Sequence, residues 1–344
     1  MSTTEIKLPD TSKLVISSSP HVHEYTSVSH IMLTVLVSLI PTYIASVWYF
    51  GPRALWVIFV TAMSCVAFEL ISNRMMGKPF TVKDGSALVT GVLLALNLPP
   101  TAPIWLCVIG AFIAIVLGKM VYGGIGCNPF NPALVGRMAL LLAFPTLLST
   151  YIAPFPGKFH WASTVNATAT ATPLTMHWTQ TQALPTAPNT YWDLFIGNMP
   201  GCLGETCALA ILIGGIFMIY LKLIRWHIPF FYIGTVFVIT SVAWFVNPQK
   251  FSPPLAQILS GGLFLSAFYM ASDMVTTPLG RIGAIIFGVG CGVITSVIRL
   301  WGSYPEGVTF SILIMNALTP LIDRATAGRP FGTVRNIAKE VKAK

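Results

Sequence analysis

Residues 84–100 read DGSALVTGVLLALNLPP, and this short apolar stretch decides how the rest of the chain is arranged. Its apolar part, Gly85 to Leu98, is shorter than the roughly 20 residues that cross a bilayer as a straight helix. It ends in Pro99-Pro100, which cannot continue a helix. We therefore interpret it as a tilted crossing or as a broken half-helix that lines a cavity inside the protein.

Nine longer apolar runs surround this stretch, and each is long enough to cross a membrane. They are Ile31 to Phe50, Ala54 to Ser72, Pro103 to Tyr122, Pro132 to Ile152, Thr206 to Ile224, Ile228 to Val246, Leu255 to Ala271, Ile282 to Leu300 and Val308 to Ile322. Only 9% of the residues are charged, against about 25% in a soluble domain. The net charge of +9 does not indicate nucleic-acid binding, because the basic residues form no patch with interleaved aromatic residues.

The short stretch gives ten crossings in total, and the basic residues support that number. With ten crossings, fifteen Lys and Arg residues fall on the side of both termini and four fall on the other side, while Arg137 lies within a span. Such a bias is typical of cytoplasmic segments. Without the short crossing, the two halves would be oriented oppositely relative to their charges. We therefore expect both termini in the cytoplasm.

This topology divides the chain into five parts. We expect a cytoplasmic N-terminal segment (1–30), a first five-helix half (31–152), an extracytoplasmic loop (153–205), a second five-helix half (206–323) and a basic cytoplasmic tail (324–344). Because each half has an odd number of spans, the halves run with inverted topology. The fold class is therefore an all-α polytopic membrane protein built from two inverted halves.

The long loop contains the sequence VNATATATPLT at residues 165–175. From residue types alone, this sequence is typical of a low-complexity linker. Pro173 limits Thr172 to extended backbone conformations, however, which keeps the Thr172 hydroxyl out of a helix. The loop is also the longest polar stretch between spans, and ordered long loops are often functional.

Several long sequence strings resemble a known family. They are Ser19-Pro20-His21, residues 84–91 and 93–100, residues 123–137 (GGIGCNPFNPALVGR), residues 271–278 (ASDMVTTP) and residues 320–324 (PLIDR). Over about Ser19 to Arg335, the chain resembles the RnfD family, which are membrane subunits of the Rnf complex, the membrane-bound ferredoxin:NAD oxidoreductase. It is more distantly similar to the NqrB family, which are membrane subunits of the sodium-pumping NADH:quinone oxidoreductase.

The resemblance implies a covalent flavin on the outer loop. In this family an exported flavin transferase esterifies the phosphate of FMN to a threonine, within a pattern resembling Asp-x-x-Ser/Thr-Gly-Ala-Thr. On this chain the acceptor is Thr172, with Thr170 as the alternative register. Asn166, Ala169 and Thr170 stand where the family usually has Asp, Ser or Thr, and Gly.

The resemblance also implies non-covalent riboflavin, a fold resembling urea transporters, and a place in the bacterial cytoplasmic (inner) membrane. The partners would be the other Rnf subunits, the flavin transferase and membrane lipid, and the complex would couple electron transfer between ferredoxin and NAD to ion translocation. The sequence has no Walker loop and no GxGxxG between a strand and a helix. The nicotinamide reaction is therefore expected on another subunit.

Polar residues at membrane depth are the second set of candidates, because each would be costly against lipid. We expect Asn128 and Asn131 beside a membrane cavity, and Asp84 and Asp273 on an ion path. The alternative for such residues, including Arg137, is structural pairing or helix capping. No metal site is expected, because the six cysteines lack paired CxxC spacing, and no side chain is expected to act as a catalytic acid, base or nucleophile.

Two rival functions remain open at this point. The inverted halves and broken spans would also fit a channel or transporter for a small polar solute. The departures at residues 166, 169 and 170 would fit a passive scaffold without flavin.

Overall fold

The computed structural model describes residues 27–78, 81–154, 169–170, 172, 174, 188–248, 250–302, 304 and 306–327. Most of the predicted N-terminal segment, loop and C-terminal tail lies outside the described residues. So do the quoted Ser19-Pro20-His21 and Asn166.

Up to residue 148, the described part of the chain forms six helices and one 3₁₀ turn. The elements are α1 (Val28–Phe50), α2 (Pro52–Met75), a 3₁₀ turn (Val82–Asp84), α3 (Ser86–Leu96), α4 (Ile104–Met120), α5 (Pro132–Ala143) and α6 (Pro145–Leu148). The last part of α4, Ile113–Met120, is π-helical.

In the part of the chain that the structure describes, a two-stranded sheet and seven further helices follow. Strand β1 (Tyr151–Ile152) pairs antiparallel with β2 (Ala169–Thr170), which places Tyr151 opposite Thr170. The helices are α7 (Pro188–Ile196), α8 (Ala208–Tyr220), α9 (His227–Val246), α10 (Pro254–Leu259), α11 (Leu263–Leu265, continuing as a π-helix over Ser266–Met270), α12 (Arg281–Trp301) and α13 (Val308–Thr326).

Five of these helices, α1, α2, α9, α12 and α13, are long and apolar enough to cross a membrane. Four more, α3, α4, α5 and α8, are apolar but shorter. Many large apolar side chains on the long helices are exposed, among them Leu33, Ile44 and Phe59. A soluble protein rarely exposes so much apolar surface. The chain is therefore a helical polytopic membrane protein, as predicted.

Two predicted spans are wrong in detail. The run from Pro132 to Ile152 is not one helix, because α5 ends at Ala143 and Pro145 starts the short α6. The run from Leu255 to Ala271 is not one helix either, because it is interrupted between α10 and α11. Gly261 adopts a φ of +72° at this break, a conformation that favours glycine.

The interrupted segments of the two halves meet in the core at Met270, the last residue of the π-helix. Asn97, just after α3, donates to the Met270 sulfur (3.5 Å), and Asn131 donates to the Met270 carbonyl (3.2 Å). The segment before α8 caps the end of α3, since the Leu203 and Gly204 amides donate to the carbonyls of Leu98 (3.1 Å) and Leu96 (2.7 Å). The backbone carbonyls at the C-terminal end of α3, which lipid could not solvate, thus have hydrogen-bond donors within the protein.

Candidate functional site

A cavity at one end of the bundle collects three of the residues predicted from sequence. It has a volume of about 100 Å³, and Asn128, Asn131 and Asp273 are among its lining residues. We call it the Asn131 cavity.

The local sequence around Asn131 explains why its amide is held in place. Asn131 is the N-cap of α5, and its Oδ1 accepts from the Ala133 amide at 3.0 Å. Pro132 occupies the first helical position, where no amide hydrogen is needed. The Asn131 Nδ2 is thereby free to donate across the core to Met270, and the nearby Asn128 Nδ2 donates to the Phe130 carbonyl at 3.0 Å.

The two predicted ion-path residues are placed differently. Asp273 lines the Asn131 cavity and accepts from the Thr276 hydroxyl at 3.3 Å. Asp84 lies at the end of the 3₁₀ turn and is not among the lining residues, although its neighbour Ser86 is. The structure therefore joins Asp273, but not Asp84, to the asparagines.

A buried ion pair forms part of the same cavity. Lys119 lines the cavity and contacts Glu69 at 2.7 Å, with side-chain exposures of 3% and 1%. Lys119 also donates to the Ser86 hydroxyl (2.7 Å), and Thr81 donates to Glu69 (2.9 Å). Lys119 is one of the fifteen cations predicted on the side of the termini, and the π-helical end of α4 buries its side chain.

A second buried charged cluster surrounds Arg137 near the opposite ends of α3 and α8. Its guanidinium donates to Glu205 (2.9 Å), to Glu306 and to the Asn97 Oδ1. These contacts confirm the alternative given for Arg137, which is structural pairing with acids. A buried arginine needs such acids, because an unpaired charge would be very costly there.

Thr172 lines a small cavity that abuts this cluster. The cavity has a volume of about 30 Å³, and its walls include Thr172, Leu174, Glu205, Thr206 and Glu306. We call it the Thr172 cavity. The glycine pair between α10 and α11 makes room for the acids, since a Cβ at Gly262 would lie 2.7 Å from the Glu205 Oε1. Thr170, the alternative acceptor, instead lies in β2 opposite Tyr151.

The carboxyl of Glu205 is perturbed by this setting. Burial and the neighbouring Glu306 carboxyl raise the pKa of Glu205 to about 8, although the Arg137 guanidinium acts in the opposite direction. Burial is the largest cause, because it disfavours the charged form of the carboxyl.

Glu205 and Glu306 escaped the sequence-based prediction, because each stands in a polar segment before an apolar run and looks like an ordinary flanking acid. The signal that points to them is Arg137 itself. A charged residue inside a span requires partners of opposite charge, and the chain has only eleven acidic residues to supply them.

Taken together, these features define a polytopic membrane protein with polar cavities towards opposite ends of its bundle. A model of the NQR2, RnfD, RnfE family matches residues 15–332, and the chain belongs to that family.

Curated relatives match over nearly the whole chain. The first is the subunit designated D in the proton-translocating ferredoxin:NAD(+) oxidoreductase complex of Clostridium ljungdahlii, which is 43% identical, covering 93% of this chain and 96% of the relative. Its counterpart in the Na(+)-translocating ferredoxin:NAD(+) oxidoreductase complex of Acetobacterium woodii is 41% identical, covering 96% and 98%. The counterpart in the ion-translocating oxidoreductase complex of Stutzerimonas stutzeri is 40% identical, covering 89% and 93%.

Proposed function

We propose that this chain is the flavin-bearing membrane subunit of a complex that couples electron transfer between ferredoxin and NAD to ion translocation. The relatives named above are subunits of such complexes by name, and a subunit of an ion-translocating oxidoreductase is what the family implies for this chain. Its partners are the other Rnf subunits, and a flavin transferase prepares it. Family membership favours this function over a solute channel.

Covalent FMN on Thr172 is the central part of the proposal. Thr172 lies outside the helices and lines a cavity with apolar walls that include Leu174, Leu194 and Leu259. Apolar side chains beside Thr172 suit contact with a flavin ring, and the partial exposure of Thr172 suits a transferase. Bound FMN would accept and pass on electrons, while the protein positions and tunes it.

Non-covalent riboflavin is proposed for the Asn131 cavity. A buried flavin needs a mostly apolar pocket with a few fixed hydrogen-bonding groups, and the lining supplies Asn128, Asn131 and Ser272 among apolar residues such as Val89 and Leu93. The same cavity contains Asp273, which together with Asp84 we propose for an ion path.

The proposed topology has ten crossings in two inverted halves, with both termini cytoplasmic and the loop at residues 153–205 outside, in the bacterial inner membrane. The short α3 is the third apolar segment of its half, and the broken α10–α11 segment is the third of the other. Their meeting at Met270 supports a pseudo-symmetric arrangement. Inverted repeats commonly place ligand sites at such a meeting point.

In-gel fluorescence tests the covalent flavin. Protein made with the transferase, denatured and separated on a gel, should fluoresce under ultraviolet light, and Thr172→Ala should abolish the band. Thr170→Ala, two residues away, is the matched control and should keep the band. A band that survives Thr172→Ala but is lost in Thr170→Ala would establish the other register, and a wild-type protein without fluorescence would overturn the proposal.

Flavin released by denaturation tests the second site. Asn131→Ser keeps a capping oxygen but shortens the side chain that faces the cavity, so it should reduce non-covalent flavin per protein. Asn247→Ser, at the end of α9 and exposed, is the control and should not. Equal flavin content in both variants would remove Asn131 from the site.

A further inference from the structure

Two carboxyl groups share one arginine beside the Thr172 cavity. The side chains of Arg137 and Glu205 are 7% and 4% exposed, and that of Glu306 is 17% exposed. Glu205 Oε1 and Glu306 Oε2 contact the same guanidinium nitrogen, Arg137 Nη2. Two carboxylates held at one nitrogen repel each other, and a proton on either one removes that repulsion.

Among the described residues, Arg137 is the one cation in contact with the pair. The other titratable groups that face it from the surrounding elements are Arg299, Cys202 and Tyr151. Arg299 is also buried and attracts Glu306 from a greater distance, but it donates its hydrogen bonds to the backbone carbonyls of Gln257 (2.6 Å) and Ser260 (3.4 Å). With one guanidinium in contact, keeping both buried carboxyls charged would be costly.

A route for a proton exists through the cavity itself. Glu205 and Glu306 both form part of its wall, and so does Thr206. The buried Thr206 hydroxyl has no hydrogen-bond partner among the described residues. A buried hydroxyl without a partner on the cavity wall can be hydrogen-bonded by a water molecule. Water in the cavity would connect the acids to solution.

We propose that Glu205 and Glu306 form a proton-binding site beside the flavin-bearing loop, in which the two carboxyls share one proton above Arg137 and exchange it with solution through the Thr172 cavity. The step is a proton transfer alone. One carboxyl O–H bond breaks, and water in the cavity accepts the proton. The pair is then left with two negative charges, both in contact with the Arg137 guanidinium.

The site is linked to the flavin if the proposed function is correct. Negative charge gained at Thr172 strengthens proton binding by a neighbouring acid pair, since both lie on one poorly solvated cavity. Proton occupancy of the pair would then rise when the loop flavin is reduced and fall when it is oxidised. This part rests on the proposed flavinylation, whereas the existence of the proton site does not.

Infrared difference spectroscopy tests the site without flavin. Full-length Thr172→Ala protein is titrated, and the carbonyl stretch of a protonated carboxyl is followed, with loss of the band expected near pH 8. The band should disappear in Glu205→Gln and in Glu306→Gln, each of which leaves Arg137 with one carboxylate. It should remain in Asp193→Asn, which removes an acid of α7 outside the cavity lining. A titration without this band, or with the band in both glutamine variants, would show a purely structural ion cluster and overturn the proposal.

Proton uptake on flavin reduction tests the link. Wild-type protein with its loop flavin should take up more protons per flavin near pH 8 than Glu205→Gln, and Asp193→Asn should match the wild type. Equal uptake in wild type and Glu205→Gln would overturn the link. A wild-type protein without covalent flavin would overturn the proposed function, while the infrared titration would still decide the proton site.

Discussion

Lys119 and Glu69 show how this protein keeps charge at membrane depth. Each side chain is almost fully buried, and the pair contacts at 2.7 Å with hydroxyl groups completing the network. A buried pair contributes little relative to apolar residues, but removing one partner leaves the other charge exposed to an apolar interior.

Lys119→Ala should therefore destabilise the protein strongly, by about 3 to 5 kcal/mol, as expected for breaking a buried pair. The thermal unfolding midpoint in detergent is the measurement. Arg74→Ala, which removes an exposed cation at the end of α2, is the control and should change the midpoint little. Equal midpoints for the two variants would show that the pair is not buried as described.

The raised pKa of Glu205 predicts a pH dependence of stability. The folded state keeps a proton that an unfolded chain loses above the ordinary value of 4.5, so the stabilisation is complete below 4.5 and is lost as pH rises through about 8. The unfolding midpoint should fall between these values. Glu205→Gln should flatten this part of the profile, and a wild-type profile that rises over the same range would contradict the assignment.

Residue chemistry was predictable where the sequence pattern was local. Asn128, Asn131 and Asp273 were singled out as polar residues beside interrupted spans, and the structure brings them to one cavity. Glu205 and Glu306 were missed because their partners are distant in sequence. The Arg137 contacts to Asn97, Glu205 and Glu306 span 40, 68 and 169 residues, which no local pattern records.

At the scale of the elements, close approach between helices depends on small residues. In α8, a Cβ at Gly214 would collide with the Ser38 carbonyl and the Tyr269 hydroxyl. Tyr269 also donates to that carbonyl at 3.1 Å, so the site joins α1, α8 and the π-helical segment. Small residues serve the same purpose in membrane helix pairs generally.

Gly214→Ala should lower the unfolding midpoint, because the backbone of α1 cannot yield as a side chain would, with a cost of about 1 to 3 kcal/mol from overpacking. Gly234→Ala in α9 is the matched control. A Cβ there meets nothing within 4 Å, so the change should be neutral or slightly stabilising. A tolerated Gly214→Ala would show that α1 and α8 pack less closely than described.

Element boundaries were predictable for long apolar runs but not at interruptions. The helices α9, α12 and α13 begin and end close to the predicted runs. The break between α10 and α11 does not show in the apolar run, because hydropathy averages over Ser260, Gly261 and Gly262. At this break a Cβ at Gly262 would lie 2.7 Å from the Glu205 Oε1, a contact between distant segments that no local pattern records.

At the scale of the whole molecule, the proposed topology predicts which positions face which side of the membrane. Cys127 is exposed and would react, so labelling starts from Cys127→Ser protein. A membrane-impermeant maleimide added to intact cells, with the outer membrane permeabilised, should label Lys250→Cys after α9. Lys222→Cys after α8 should stay unlabelled until the inner membrane is opened. The reverse pattern would invert the topology.

The central claim is that this membrane protein carries FMN on Thr172. Mass spectrometry of the loop peptide, from protein made with the flavin transferase, tests it most directly. The account predicts a peptide heavier by the mass of FMN minus one water, with fragment ions that place the added mass on Thr172. An unmodified Thr172 in a fully recovered peptide would contradict it.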